Sequence, residues 1–206
     1  MENIKFKYNE EKKEIFDNLN ITFEFPNNYI ILGSNGSGKS TLLKLLFGMK
    51  SPISGKIYIN EKTLNEENEN LFPYGYVSQQ VSVYNDSIIK NLKTDMEEIS
   101  ENEIWKAVRT SEIEEWIRSL DNGIYTEIKE KGKNISKGEK TRLAISRELI
   151  KNPEVLFLDE PDANIDKKTM ERILKNIREN YSTLNLVIIT HLSQRDMYKG
   201  FKSVQI

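Results

Sequence analysis

Hydrophobic and polar positions alternate at the start of the chain: Ile4, Phe6 and Tyr8 are separated by Lys5 and Lys7, which predicts a strand with one buried face. A charged turn follows over Asn9 to Glu14. Ile21 to Phe25 alternates again and predicts a second strand, and Pro26-Asn27-Asn28 reads as a turn. Tyr29 to Leu32 is different, being apolar throughout, as expected of a strand covered on both faces. A glycine-rich loop comes next, then the helix former Thr41 to Phe47, with Gly48 placed to end it. Glu61 to Asn70 is almost wholly polar and reads as a solvated loop.

Farther on, the period changes to that of helices. Ile104, Ala107 and Val108 make one stripe, and Ile113, Trp116, Ile117 and Leu120 a second. Ser100 with Glu103, and Ser111 with Glu114, have the spacing of capping boxes. Trp105 and Trp116 both fall here and are expected in the core. A longer helix is predicted from Lys137 to Ile150, stopped by Asn152-Pro153. Val155 to Leu158 is a second fully apolar strand. Met170, Ile173, Leu174, Ile177 and Tyr181 mark a helix before the strand Leu186 to Ile189. Strands alternating with helices after residue 30 predict an α/β fold with a mostly parallel sheet, an antiparallel β portion at the start and an inserted helical lobe.

Composition changes this picture little. The 206 residues suffice for one domain with an insertion, and 37% hydrophobic with 30% charged residues is ordinary for a globular chain. Thirty basic against 32 acidic residues leave a net charge of -2, which gives no bulk electrostatic case for nucleic acid. The chain has no cysteine, so disulfides and thiolate metal sites are excluded. Met1 to Tyr8 has no apolar run of the kind a signal peptide needs. No apolar stretch nears the ~20 residues that cross a bilayer.

The candidate chemistry begins at Gly33-Ser34-Asn35-Gly36-Ser37-Gly38-Lys39-Ser40, which fits GxxxxGK[ST] between a buried strand and a helix. In that context the backbone N–H groups and the helix N-terminus cradle phosphates, with Thr41 next in line. Lys39 reaches the β- and γ-phosphates, and Ser40 offers a hydroxyl to Mg²⁺. Asp159, at the carboxyl end of a buried strand, is placed to hold Mg²⁺ through water. Glu160 beside it is the candidate base for the attacking water. His191, the sole histidine, follows the strand Leu186 to Thr190 and is a candidate to position or polarise the γ-phosphate.

Ile135-Ser136-Lys137-Gly138-Glu139 resembles the LSGGQ signature of the ATP-binding-cassette (ABC) family, about twenty residues before Asp159-Glu160. Arg142 and Arg147 fall where that family has arginines. The resemblance implies that Tyr8 stacks on adenine and that Gln79 touches Mg²⁺ and links the site to the helical lobe. It implies that Ser136, Gly138 and Glu139, with Asp166, meet the ATP held by a second subunit, and that His191 is a switch. The likeness spans residues 4 to 191 and departs from the family pattern at Lys137, at Glu139 and at Asp162-Ala163-Asn164. The chain also ends soon after His191, without the extra strands of many members. Thr126-Glu127-Ile128-Lys129-Glu130-Lys131-Gly132 is similar to the TxVGExG loop of exporters, with Lys129 for Gly.

The family therefore implies one ATPase domain over 1–206, with a RecA-like core at 1–81 and 151–206 and a helical subdomain over about 82–150. It implies ATP and Mg²⁺ as ligands, and ATP hydrolysis coupled to transport, with export favoured over import. Expected partners are a second copy or a paralogous ATPase, plus a separate multi-span membrane subunit. The expected location is cytoplasmic, peripheral on the inner face of the cell membrane. A soluble ABC ATPase for translation, chromosome or iron–sulfur work is the alternative; no tandem cassette or long coiled coil points to it. A GTPase would need an Asn-Lys-x-Asp guanine reader, which the sequence lacks.

Overall fold

The computed structural model describes residues 1–8, 14–64, 73–94, 98–130, 132–191 and 196–206. Ten strands among them form a five-stranded sheet in the order β10-β3-β9-β8-β7, a three-stranded sheet β2-β1-β4 and the small hairpin β5-β6. The fold is thus mixed α/β, with a parallel main sheet and an antiparallel portion at the N-terminus. The chain divides into two compact units, Met1–Pro73 with Ile189–Ile206, and Tyr74–Ile188.

In the first unit, β1 (Glu2–Phe6) pairs antiparallel with β2 (Phe16–Leu19) and β4 (Ser54–Lys56). Ile4 and Phe6 supply its buried face, as the alternation predicts. Ile21 to Phe25, in contrast, forms no strand. The Tyr29 hydroxyl accepts from Glu24 N–H at 2.8 Å and donates to Glu24 C=O at 3.2 Å. One side chain there satisfies backbone groups that a ladder would otherwise satisfy. The pairing with β1 falls instead to Phe16–Leu19, whose two apolar residues stand three apart and give no alternation to read. β3 (Tyr29–Leu32) is buried along its whole length and pairs in parallel with β10 (Lys202–Gln205). It leads into helix α1 (Lys39–Leu46), with Phe47 as C-cap and Gly48 just beyond it at φ 71°. The hairpin β5 (Tyr58–Ile59) and β6 (Lys62–Thr63) takes up the start of the expected polar loop. Residues 65–70 of that loop lie outside the described ones.

The second unit pairs β7 (Tyr74–Val77) in parallel with β8 (Val155–Asp159). Helices α2 (Ile88–Lys93), α3 (Glu101–Thr110), α4 (Glu114–Ser119) and α5 (Lys137–Ile150) lie between them in sequence. α6 (Lys167–Asn180) follows and buries Met170, Ile173, Leu174 and Ile177, each contributing about 1.5–3 kcal/mol. β9 (Asn185–Thr190) closes this unit and runs into the first.

Two local expectations fail here. Ser100 and Glu103 do form a capping box, but Ser111 does not cap α4, which starts at Ile113 without a side-chain cap. The Ser111 hydroxyl is buried against Ser146 of α5, and Glu114 pairs with Arg118 at 2.8 Å instead. Neither tryptophan is in the core; both are half-buried. Ile104, Ala107, Val108, Ile113 and Ile117 fill that space. The Trp105 indole N–H keeps a partner, Glu101 at 3.2 Å, and Arg118 lies 4.5 Å over the ring.

Candidate functional site

In the first unit the loop Gly33–Ser40 joins β3 to α1. Its geometry follows from the glycines: Gly36 and Gly38 have φ of 78° and 104°, a region costly for other residues. At Gly38 there is a second reason, since a Cβ would lie 2.8 Å from the Phe16 ring. Gly38 is the N-cap of α1 and gives no side-chain cap, and the first turn of α1 holds no acidic residue. No side-chain cap therefore competes at that turn with an incoming anion. Lys39 is buried, and its ammonium donates to the carbonyls of Gly33 at 2.9 Å and Ser34 at 3.0 Å. The Ser37 hydroxyl is buried without a hydrogen-bond partner among the described residues. Such an orphan costs about 1–3 kcal/mol unless something polar reaches it. Ser34, Asn35, Gly36 and Ser40 are exposed.

Tyr8 belongs to the same unit. Its hydroxyl lies 3.4 Å from Thr41 Oγ1 and accepts from Lys44 Nζ at 3.4 Å. The bond to Thr41 is the main reason its phenol ionises below the usual range. Its ring stands edge-on to Phe6 at 5.2 Å. The structure thus ties Tyr8 to the first turn of the helix that carries the loop. His191, half-buried, follows β9, the neighbour of β3 in the sheet.

The second unit carries the carboxylates. Asp159, 8% exposed, closes β8. Glu160 turns out of the strand with φ 49° and ψ 50°, a left-handed conformation that costs a non-glycine residue of order 1–3 kcal/mol. That turn re-aims the Glu160 side chain, and the Gln79 amide donates to Glu160 Oε2 at 2.6 Å. Gln79 and Glu160, 81 positions apart, are therefore held together. Sequence reasoning missed Tyr76, whose hydroxyl donates to Asp159 Oδ2 at 3.2 Å. Burial, with the Asp159 charge beside it, pushes that phenol far above its ordinary range, so it stays a donor. Only the register of β7 on β8 reveals this pair.

The signature-like segment is the N-terminus of α5. Ser136 Oγ accepts from Glu139 N–H at 3.2 Å, and Glu139 Oε2 accepts from Ser136 N–H at 2.6 Å. Gly138 leaves room for a backbone: a Cβ there would lie 2.9 Å from the carbonyl oxygen of Asn164. Asp166 caps α6 by accepting from Thr169 N–H at 3.0 Å; Thr169, donating through side chain and backbone, holds its carboxyl below the usual range. Arg142 donates to Glu112 C=O. Arg147 donates to Asn91 C=O at 2.7 Å and Ser82 C=O at 3.3 Å. Fully buried Asn91 donates to the carbonyls of Tyr84, Asp86 and Ser87, so α5 grips the segment that follows Gln79. The same segment binds the exporter-like loop through Ile88 N–H to Thr126 C=O and Ile128 N–H to Asp86 C=O, each at 3.0 Å. Lys131 of that loop lies outside the described residues.

These features fit a polyphosphate: an uncapped helix start, a lysine across the loop and an orphaned buried hydroxyl. Oxygen donors of the type Mg²⁺ takes are present in each unit, Ser40 in the first and Gln79 and Asp159 in the second. Among the described residues no group of three or more acidic, His or Cys side chains could hold a metal on its own.

A family model described as ABC transporter matches residues 16–163. The chain is 36% identical over 193 residues to the multidrug resistance-like ATP-binding protein MdlB of Buchnera aphidicola subsp. Schizaphis graminum, covering 93% of this chain and 33% of the relative. It is also 36% identical over 184 residues to the mitochondrial iron-sulfur clusters transporter ATM1 of Saccharomyces cerevisiae, covering 88% of this chain and 26% of the relative. A solved bacterial Atm1-family ABC exporter with ATP bound superposes with a TM-score of 0.84 at 31% identity, covering 92% of this chain and 34% of the other. The chain spans about a third or less of these proteins.

Proposed function

This chain belongs to the ABC transporter family, and we propose that it binds and hydrolyses ATP as the motor of an exporter, working as a nucleotide-sandwich pair. The observation that carries the reading is the Gly33–Ser40 loop ahead of an α1 start that has neither a side-chain cap nor an acidic residue. The similarity to exporter proteins over nine-tenths of the chain supports the direction of transport over the soluble alternative.

The roles follow from the chemistry of each group. Backbone N–H groups of Gly33 to Thr41 bind the β- and γ-phosphates, and Lys39 turns its ammonium onto them. Tyr8 stacks on the adenine. Ser40, Gln79 and Asp159, the last through water, would hold Mg²⁺, which when bound offsets phosphate charge as the γ-phosphoryl leaves. Glu160 takes the proton of the attacking water, oriented by the Gln79 amide. His191 positions the γ-phosphate. Ser136, Gly138, Glu139 and Asp166 of one molecule close on the nucleotide of its partner, a second copy or a paralogue.

The whole of 1–206 acts as one ATPase domain, with 1–81 and 151–206 as its core and about 82–150 as its helical subdomain. Among the described residues no helix is long and apolar enough to cross a membrane. Crossing is assigned to a separate multi-span subunit, and the chain is placed peripherally on the inner face of the cell membrane. A second reading puts the spans in the same polypeptide, favoured because the relatives are about three times as long.

The test is Glu160→Gln in the purified chain. It is expected to lose ATP turnover and to elute as a dimer only with Mg·ATP. Full turnover in Lys39→Ala, or a fully active monomer at high dilution, overturns the reading.

A further inference from the structure

We propose that Tyr76 is a positioning residue for the metal-side carboxylate, its phenol fixing the plane of Asp159. The proposal rests on the reading of Asp159 given above.

The placement comes from strand register. Tyr76 pairs with Phe157 across the parallel ladder, and Asp159 lies two residues farther along β8. Side chains two apart on a strand share a face, and a diagonal neighbour is within reach of an aromatic. The shared face is visible one step back, where Tyr74 meets Phe157 edge-on at 6.2 Å. The phenol is long enough to span the diagonal and ends 3.2 Å from Oδ2.

Tyr76 is itself anchored. Its N–H donates to Glu148 Oε2 at 3.4 Å, and Glu148, buried on α5, pairs with Lys151 at 2.8 Å. The choice of donor matters chemically. A cation in this place would cancel the charge that attracts a metal, whereas a phenol commits one oxygen and leaves the carboxylate anionic. Burial limits competition from water for that bond.

The test uses Mn²⁺ as the probe, titrated into the chain loaded with a non-hydrolysable ATP analogue and followed by EPR of the free ion. Tyr76→Phe keeps the ring and removes the donor. It is expected to weaken Mn²⁺ by roughly 10-fold, the lower end of the range for an outer-sphere partner. Analogue affinity in EDTA is expected to stay within twofold. Asp159→Asn serves as the reference and should weaken Mn²⁺ more. Unchanged Mn²⁺ affinity in Tyr76→Phe, with Asp159→Asn weakened, overturns this proposal alone. An equal loss of analogue affinity in EDTA also overturns it, because the role is then structural. If Asp159→Asn leaves Mn²⁺ unmoved, the reading of Asp159 fails and takes this one with it.

Discussion

Helices α1 and α5 both begin at a turn assigned to a triphosphate, yet their first turns are finished in opposite ways. α1 starts from a left-handed glycine and has no side-chain cap and no acid in its first turn. α5 starts from Ser136 with a complete capping box, its Glu139 carboxylate already on the Ser136 N–H. The difference matches the two jobs proposed for these helices. A turn that grips phosphate within its own chain leaves its amides for the ligand. A turn that awaits a second molecule must be satisfied alone in water between encounters, and Glu139 does that at the cost of a negative charge where an anion should arrive.

The largest expected effect removes the grip of the first turn. Lys39→Ala should lower ATP turnover at least about 100-fold, or about 2.7 kcal/mol, with the far-ultraviolet CD spectrum unchanged. Next comes Glu160→Gln, expected to slow turnover by a similar order while ATP stays bound. Rapid filtration of labelled ATP separates this from a binding defect, and a comparable loss of binding would contradict the assigned base.

How far sequence reached depends on the range of the interaction. The loop Gly33–Ser40, Asp159 and the cap at Ser136 are set by neighbours in the chain, so residue type and spacing reveal them. Tyr76 is an ordinary strand aromatic until β7 is in register with β8. Ser111 has capping-box spacing, but contact with Ser146, 35 residues on, claims its hydroxyl. The strand expected at Ile21 to Phe25 has the right alternation and loses to one tyrosine hydroxyl. The glycine-rich turn between β3 and α1 was therefore legible, and the hydrogen bonds made by Asp159 and Glu160 were not.

Two smaller effects sharpen the contrast of the helix starts. Gly138→Ala puts a Cβ 2.9 Å from Asn164 C=O, so α5 and the loop after Glu160 must shift apart. ATP-dependent pairing should weaken by roughly 10-fold in light scattering, a cost of about 1.4 kcal/mol, while ATP binding to the single chain is unaltered. Glu139→Gln keeps the capping geometry, which either residue supports, and removes the charge. Pairing should then tighten by roughly 2- to 5-fold, in line with about 0.3–1 kcal/mol for a charge at a helix start.

Amide NMR of the labelled chain, titrated with Mg²⁺ and a non-hydrolysable ATP analogue at two protein concentrations, tests the division of labour most directly. The account predicts that the amides of Gly36 to Thr41 shift at both concentrations. Those of Lys137 to Glu139 should shift only at the higher one, where pairs form. Loop amides that stay still, or α5 amides that move equally in the dilute sample, would contradict it.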